Sequence, residues 1–453
     1  MMSKMREYTI EEDILTHARE EKTSKRGRNG KKFEVKLYEN EKSLHELSGA
    51  WNALADVCGS PVYMSPEWVQ NWWTHFGRHE KRSLYLVSVW NSDQLIALAP
   101  LYRGYSSLGP VVAERRLQII GSGGSPNEQI GYLDDYGISD FLDFLVDPEY
   151  EEEIAEIFVS FLTSADRQVD LITFHQAGDD SFIKKSLYPE LKKSGVRVRL
   201  EHADTCPYID LTGQETLGKY IKQVKSSARR RFRQTLRATG PGKEYDIQGA
   251  RSFEDVKEAT DTLIALHQER WNALGFPGVF HDRRFTDFFK DIIRISYENG
   301  MLWFKQAVDR DGVCASRMIL FYNGRYYDYI SGFDDNRPSS KYRPGIGLLL
   351  NLVNESIEEG IERVELLRGE EGYKYDFTSK NFRNWKLTVV PRQRRPRPVR
   401  IASLMIKVQA LAYRIAVREL KLLNVQKEKR GVLKMLGGYV SFRWTSLKMK
   451  LNS

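Results

Sequence analysis

Residues 330–360 read ISGFDDNRPSSKYRPGIGLLLNLVNESIEEG. The stretch ends an aromatic, strand-like run that begins at Arg325, breaks into a polar loop, and passes through Arg343-Pro-Gly-Ile-Gly347 straight into an apolar helical pattern. Leu348, Leu349, Leu352, Val353 and Ile357 share one helix face, Gly360 is its stop, and ERVELLR follows as a further strand. A glycine turn at a helix start leaves backbone N–H groups without intrahelical partners, and the helix dipole adds partial positive charge at the same place. Such a turn suits an anion, usually a phosphate. Taken alone, Pro344 and Gly345 equally describe a plain turn. Tyr342, Arg343, Gly345, Ile346 and Gly347 are the candidate anion-binding residues.

The same part of the chain belongs to an internal repeat at a spacing of about 217 residues. Val62-Tyr63-Met64-Ser65-Pro66-Glu67-Trp68 parallels Val279-Phe280-His281-Asp282-Arg283-Arg284-Phe285. Ser65 and Asp282 stand as helix caps, Pro66 fits a first helical position, and aromatics recur behind them at helical spacing. LYLVSVWNSDQLIALAPLY from Leu84 then matches LWFKQAVDRDGVCASRMIL from Leu302, each a strand, a short polar turn and a strand. The repeat predicts two similar mixed α/β domains in tandem, over residues 33–205 and 206–390. At the place of the glycine turn the first copy has GSGGSPNEQIGYLDDYG, which does not lead into an apolar helix.

The chain has 453 residues and a formal charge of +8, unevenly distributed. From Pro391 onward sixteen Lys or Arg stand against two Glu, a net +14 that leaves the preceding 390 residues at −6. The mildly acidic body gives no support for general nucleic-acid binding, so the basic tail needs its own explanation. Ile401, Leu404, Met405, Val408, Leu411, Ala412 and Ile415 follow helical spacing, with Arg400, Lys407, Arg414 and Lys421 around them. That pattern predicts a basic amphipathic helix over residues 391–453, suited to an anionic membrane surface or to docking on a partner. No apolar run reaches the roughly 18 residues of a membrane span. Residues 1–32 are polar and charged throughout, expected to be disordered and without a signal-peptide core, which sets the expectation of a cytoplasmic protein. Cys58, Cys206 and Cys314 form no C-x-x-C pair and the histidines show no zinc-site spacing, so neither disulfides nor a metal are expected.

Strand, loop, glycine turn and helix in this order resemble the acyl-coenzyme A site of the GNAT superfamily of N-acetyltransferases. RWNALGFPGVF, SGFDDNRPSSKYRPG and above all LLRGEEGYKYDF resemble the double-domain, CelD-like acetyltransferases of cellulose and exopolysaccharide biosynthesis, which share a fold with Fem-type aminoacyl-tRNA-dependent peptidyltransferases. The resemblance spans roughly Glu34 to Val390. It implies tandem GNAT-like domains, each a mixed, mostly antiparallel sheet flanked by helices, with a first copy that is degenerate and a second that binds the donor. It further implies acetyl-CoA or another acyl-CoA as co-substrate and an amine-bearing saccharide or precursor as acceptor.

Acyl transfer to an amine requires a held thioester, a base for the ammonium, donors for the oxyanion and an acid for the leaving thiolate. The stretch Gly369–Phe377 offers Glu370 or Glu371 as base, Tyr373 as acid and Lys374 for a phosphate or the oxyanion. Residue types alone equally describe solvated glutamates, packed tyrosines and a lysine with a buried stem; the resemblance implies a catalytic role for Glu371, Tyr373 and Lys374 and leaves Glu370 open. Asp328 either faces a groove between the domains or guards an edge strand. Arg270 and Trp271, at the end of a helical pattern, and Asp135 and Tyr136, after the degenerate glycine stretch, are candidate acceptor contacts. KYIKQVKSSARRRFRQTLR, Lys219–Arg237, concentrates eight basic residues. A solvated face accounts for it; so does contact of Arg229, Arg230 and Arg233 with an anionic acceptor or a tRNA-borne donor. Three functions remain: an acyl-CoA-dependent N-acyltransferase, a Fem-type transferase using aminoacyl-tRNA, and a non-catalytic localisation module.

Overall fold

The computed structural model describes residues 21–26, 32–78, 82–108, 111–123, 137–164, 169–391 and 408. The strands are β1 (Glu21–Arg26), β2 (Lys32–Tyr38), β3 (Arg82–Asn91), β4 (Gln94–Leu108), β5 (Val111–Ile119), β6 (Leu145–Val146) and β7 (Leu171–Gly178), followed by β8 (Arg197–Asp210), β9 (Asp246–Gly249), β10 (Leu302–Asp309), β11 (Gly312–Tyr322), β12 (Arg325–Phe333), β13 (Arg363–Glu365) and β14 (Asn381–Val390). They form one sheet in the order β1-β2-β3-β4-β5-β7-β14-β8-β13-β12-β11-β10-β9, with β6 paired to β4. Neighbours are antiparallel except β5 with β7 and β12 with β13. The fold is a mixed α/β tandem with a mostly antiparallel sheet, as the repeat and the resemblance predict.

The repeat is visible element by element. A short 3-10 turn at Val62–Met64 leads into the helix Pro66–Trp72, capped by Ser65 onto Trp68 N–H. Its counterpart at Val279–His281 leads into the helix Arg283–Glu298, capped by Asp282 onto Arg284 N–H. The hairpins β3–β4 and β10–β11 follow in each copy. The two helices pack against each other through residues separated by the repeat spacing itself: Asn71 Nδ2 donates to the Phe288 carbonyl at 2.9 Å across 217 positions, and His75 Nε2 bonds Asp291 Oδ2 at 2.8 Å. The Trp68 ring meets Phe288 edge-on at 5.1 Å. One buried core therefore holds the first half together with Phe285, Phe288, Phe289 and Ile292 of the second. A second core lies on the other face of the second half's sheet, beneath the helices Leu217–Gln223, Ser226–Ala238 and Pro344–Glu358.

Two expectations change. Part of the N-terminal segment expected to be disordered is a strand, β1, paired antiparallel to β2. The division at 205/206 falls inside β8, whose Arg197–Pro207 pairs with β14 while Tyr208–Asp210 pairs with β13. β14, the last strand of the second half, lies between β7 and β8. Sequence periodicity gave no warning of that insertion because strand pairing over some two hundred residues leaves no local trace. The tail expected to be a basic helix lies outside the described residues, apart from Pro391 and Val408.

Because the halves share a strand and a core, they unfold together. Phe288→Ala is expected to lower stability by about 3–5 kcal/mol and to move both halves in one transition; urea melts that split into two steps by tryptophan fluorescence and circular dichroism would overturn this.

Candidate functional site

β12 and β13 pair in parallel only at Arg325–Tyr327 with Arg363–Glu365. Beyond that point they part, and a register shift opposite Met318 and Ile319 leaves Tyr329 as an extra residue in β12. The gap opens into a cavity of about 970 Å³ whose wall includes Asp140 from the first half and His267, Trp271, Arg317, Asp328, Gly345, Glu371 and Tyr373 from the second. Such a volume suits a small-molecule ligand.

The glycine turn stands at the mouth. Arg343 is held in the left-handed region (φ 59°) and begins the helix Pro344–Glu358. The Ile346 and Gly347 amides return to the Arg343 carbonyl at 2.9 and 3.1 Å. Pro344 has no amide, so the Gly345 N–H is the donor the helix start does not itself use. The two glycines serve different ends. A Cβ on Gly345 would meet only Phe333 Cδ1, at 3.8 Å, so this position is open toward the cavity. A Cβ on Gly347 would lie 2.2 Å from Tyr245 Oη; this glycine is required for packing and does not line the cavity. Arg343 and Ile346 line the cavity, whereas Tyr342 turns to the opposite side, with its hydroxyl on Glu244 at 3.0 Å.

Most of the first copy's glycine-rich stretch, residues 124–136, lies outside the described residues; among those described, the helix between β5 and β7, Glu151–Thr163, has no glycine turn at its start. Its first turn is Glu151, Glu152 and Glu153, which satisfy the helix dipole with the chain's own charge. The helix Pro344–Glu358 has no acidic residue in its first turn.

The stretch after β13 separates what the sequence presents together. Lys374 is 4% exposed, and its Nζ donates to the carbonyls of Leu367, Arg368 and Gly369 (3.3, 2.8 and 3.4 Å) and pairs with Glu371 at 2.9 Å. It is a strut for a loop in which Leu367 takes φ 59° and Gly369 φ 109°, and it has little capacity left for a phosphate. Glu371 lies exposed at the cavity rim. Glu370 points elsewhere: it accepts from the Tyr375 hydroxyl at 3.0 Å and is not among the cavity's lining residues. Tyr373 hydrogen-bonds Arg317, and burial, with Asp328 beside it, pushes its phenol above the usual range. It is a neutral proton donor at physiological pH.

Asp328 is not an edge charge. β12 lies between β11 and β13, and Asp328 forms an ion pair with Arg317 in which both side chains are 4% exposed. Arg270 sits over the Phe333 ring, 4.1 Å from its centroid, and 3.5 Å from Asp335. Trp271 packs edge-on to Phe276 and beside His267, and both Arg270 and Trp271 line the cavity. Arg229 and Arg230 and Arg233 face a separate groove, where the Arg229 guanidinium donates to the Lys222 and Val224 carbonyls. Asp135 and Tyr136 lie outside the described residues.

Three cavity groups escaped the sequence reading. Arg317 carried a signal, a lone charge inside the apolar strand CASRMIL. His267 is buried in contact with Phe280 and Trp271, and burial pushes it down to about 4, so the ring is neutral. Asp140 had no sequence signal. It is 4% exposed and borders the cavity, with Arg368 Nε 3.5 Å away, and its Oδ1 accepts no hydrogen bond among the described residues. Burial raises its pKa, against the opposing charge of Arg368. A buried carboxylate with a raised pKa beside a cavity, its Oδ1 held by an ion pair 3.5 Å long, can receive a proton or bind an ammonium group.

Residues 226–375 match the family model of the acetyltransferase (GNAT) domain. The match contains the splayed strands, the glycine turn, and Glu371, Tyr373 and Lys374. Among solved structures, FemX superposes with a TM-score of 0.52 at 9% identity, over 75% of this chain and 96% of that one. The C-terminal domain of a putative lysylphosphatidylglycerol synthetase from Agrobacterium fabrum gives 0.46 at 12%, over 76% and 92%. A tandem GNAT protein from the clavulanic acid biosynthesis pathway gives 0.40 at 12%, over 80% and 100%. At these identities the likeness concerns the fold alone. No curated protein matches the sequence. Among the described residues, no helix is long and apolar enough to cross a membrane.

Two outcomes test the geometry of the GNAT domain. Gly345→Ala should fold like the wild type, while Gly347→Ala should lose about 1–3 kcal/mol, partly restored by Tyr245→Phe; equal urea midpoints for the two alanine variants would refute the assignment. His267 binds its proton more weakly folded than unfolded, so its contribution is complete above about pH 6.5 and is lost as pH falls toward about 4. His267→Gln should flatten that part of the stability profile, as measured by denaturant midpoints across this range.

Proposed function

We propose that the chain is an N-acyltransferase that moves an acyl group from acyl-CoA to an amine, the acceptor being an amino sugar or precursor in cell-surface polysaccharide synthesis. The observation that carries the reading is the placement of a turn amide, Gly345 N–H, at the mouth of a cavity that contains a neutral phenol and a buried carboxylate with a raised pKa. The residues fit the donor: the turn supplies a donor and helix-end charge to its diphosphate, and the gap between β12 and β13 accepts its extended thioester arm. The bulge at Tyr329 takes backbone groups of β12 out of the ladder, where an amide is available to the developing oxyanion.

Within that arrangement Glu371, at the rim, meets the incoming ammonium, and Asp140, at the buried wall, takes its proton. A carboxylate raised by burial is the better base toward an amine. The free amine attacks the thioester carbonyl and the C–N bond forms; the C–S bond then breaks as Tyr373 gives its proton to the thiolate, and the surplus proton on the new amide nitrogen restores the Tyr373 phenol. Asp328 and Arg317 fix the position of Tyr373. Trp271, Phe276 and Phe285 provide the apolar wall for a ring-shaped acceptor. The saccharide acceptor is supported by the resemblance of Leu366–Phe377 to the CelD-like enzymes. A tRNA-borne donor is the second reading, favoured by the basic helix Ser226–Ala238; it predicts affinity for charged tRNA and no specific CoA binding.

Calorimetric titration of acetyl-CoA into the full chain is the deciding experiment, with Gly345→Glu as the variant that fills the turn with a side chain and a negative charge. Binding to the wild type and its loss in the variant are expected; no binding to either would reject the acyl-CoA reading. With an amino-sugar acceptor, Asp140→Asn and Tyr373→Phe should each lower kcat by about 100-fold or more, while Glu371→Gln should act mainly on the KM of the acceptor. A kcat unchanged in Asp140→Asn would return the role of base to Glu371.

A further inference from the structure

The cavity is not the only concave surface touching the glycine turn. On the other side of Tyr342 lies a groove of about 660 Å³ along the helix Ser226–Ala238. Arg230, Arg233 and Arg237 recur there at helical spacing on one exposed face. None of the three forms an ion pair among the described residues, whereas Arg231, on the flank of the same helix, is held by both oxygens of Asp376. The groove's carboxylate, Glu244, is engaged by the Tyr342 hydroxyl at 3.0 Å. Like charges gathered on one face of a helix repel one another, and an anion in the groove would relieve that repulsion.

The position of the groove tells which end of which ligand enters it. Tyr342 and Arg343 are consecutive; the first lines the groove and the second lines the cavity. A diphosphate resting on Gly345 N–H must send its acyl-bearing arm into the cavity, where Tyr373 and Asp140 lie. Its other end must then leave on the Tyr342 side, over the arginines. The acceptor approaches the acyl carbon from the cavity and does not pass this way. In coenzyme A, that other end is an adenosine bearing a 3′-phosphate.

We propose that Arg230, Arg233 and Arg237 form a binding site for the 3′-phosphate of the acyl-CoA donor. The inference rests on the acyl-CoA reading of the cavity. An RNA strand is less well served: the groove is short, with Tyr342 and Glu244 in its wall, and a long polyanion would have to lie along a body, residues 1–390, of net charge −6.

The test is calorimetry on the full chain with CoA and 3′-dephospho-CoA as separate ligands. The wild type should bind CoA roughly tenfold more tightly or better, as expected for charge-assisted hydrogen bonds to one phosphate. The triple variant Arg230→Ala/Arg233→Ala/Arg237→Ala should bind both ligands alike, with its affinity for 3′-dephospho-CoA unchanged from the wild type. That unchanged affinity also verifies that the variant is folded. Equal binding of the two ligands by the wild type, or a preference that survives in the variant, would overturn the proposal while leaving the acyl-CoA reading intact. Displacement of CoA from the wild type by a short RNA hairpin with a single-stranded 3′ end, abolished in the triple variant, would overturn it in favour of a tRNA-borne donor. Failure of both CoA forms to bind the wild type would overturn the acyl-CoA reading, and this inference with it.

Discussion

Strand β14 is bound on one side by β7 and on the other by β8, and the position of the cavity residues depends on that double pairing. Asn381–Val390 closes the second half of the chain, yet its backbone completes the ladder of the first. The loop from Leu366 to Lys374 is thereby pinned between its own strand, β13, and the body of the other half. Arg368 reaches across to the Gly137 carbonyl and stands 3.5 Å from Asp140. Leu366 N–H and Gly369 N–H bond to the Pro207 and Thr205 carbonyls of β8 at 3.0 and 3.1 Å. A cavity whose two walls come from different halves needs the halves at a fixed distance, and a shared sheet is stiffer than a side-chain interface.

The cavity concentrates groups that are costly to bury. Arg317 and Asp328 are both almost inaccessible, Asp140 is buried beside Arg368 at 3.5 Å, and Lys374 is buried on three carbonyls. Removing a paired charge from water costs several kcal/mol per ion before any attraction is regained, and apolar residues would fill the same volume with less penalty. Charges retained under that penalty and facing a cavity are a mark of chemistry. The left-handed Leu367, held in place by Lys374, belongs to the same pattern of local strain maintained by its surroundings.

What the sequence made legible follows the range of the interactions. The strand Arg325–Phe333, the turn and the helix Pro344–Glu358 are specified by neighbours in the chain, and they were readable to within a few residues. The repeat was readable too, since each copy is a run of local signals: a capped helix and a hairpin. Its deeper consequence, that Asn71 and Phe288 touch, follows only once the copies are folded against each other. Glu370 and Glu371 are indistinguishable in composition, yet a bend at Gly369 sends one to Tyr375 and the other to the cavity rim. Lys374 looked like a ligand for phosphate because only the folded loop brings three carbonyls to it. Asp140 was invisible, as its significance depends on a contact between residues more than two hundred positions apart.

The two crossover helices differ at their N-terminal ends. Each lies in the chain between the two strands of a parallel pair, β5 and β7 in the first half and β12 and β13 in the second, and each has a positive helix end. In the first half that end is neutralised by Glu151, Glu152 and Glu153, and the adjoining strand holds the buried pair Glu114 and Arg116. In the second half the corresponding turn is Pro-Gly-Ile-Gly, with no acid to compete for the dipole and no Cβ at Gly345 to block the approach. Helix-end charge is offset by acidic side chains at the first turn and not at the second. The first half contributes Asp140 to the far wall of the cavity while the second supplies the glycine turn, so the two copies bring different groups to one cavity; under the acyltransferase proposal that is a division of labour between acceptor and donor.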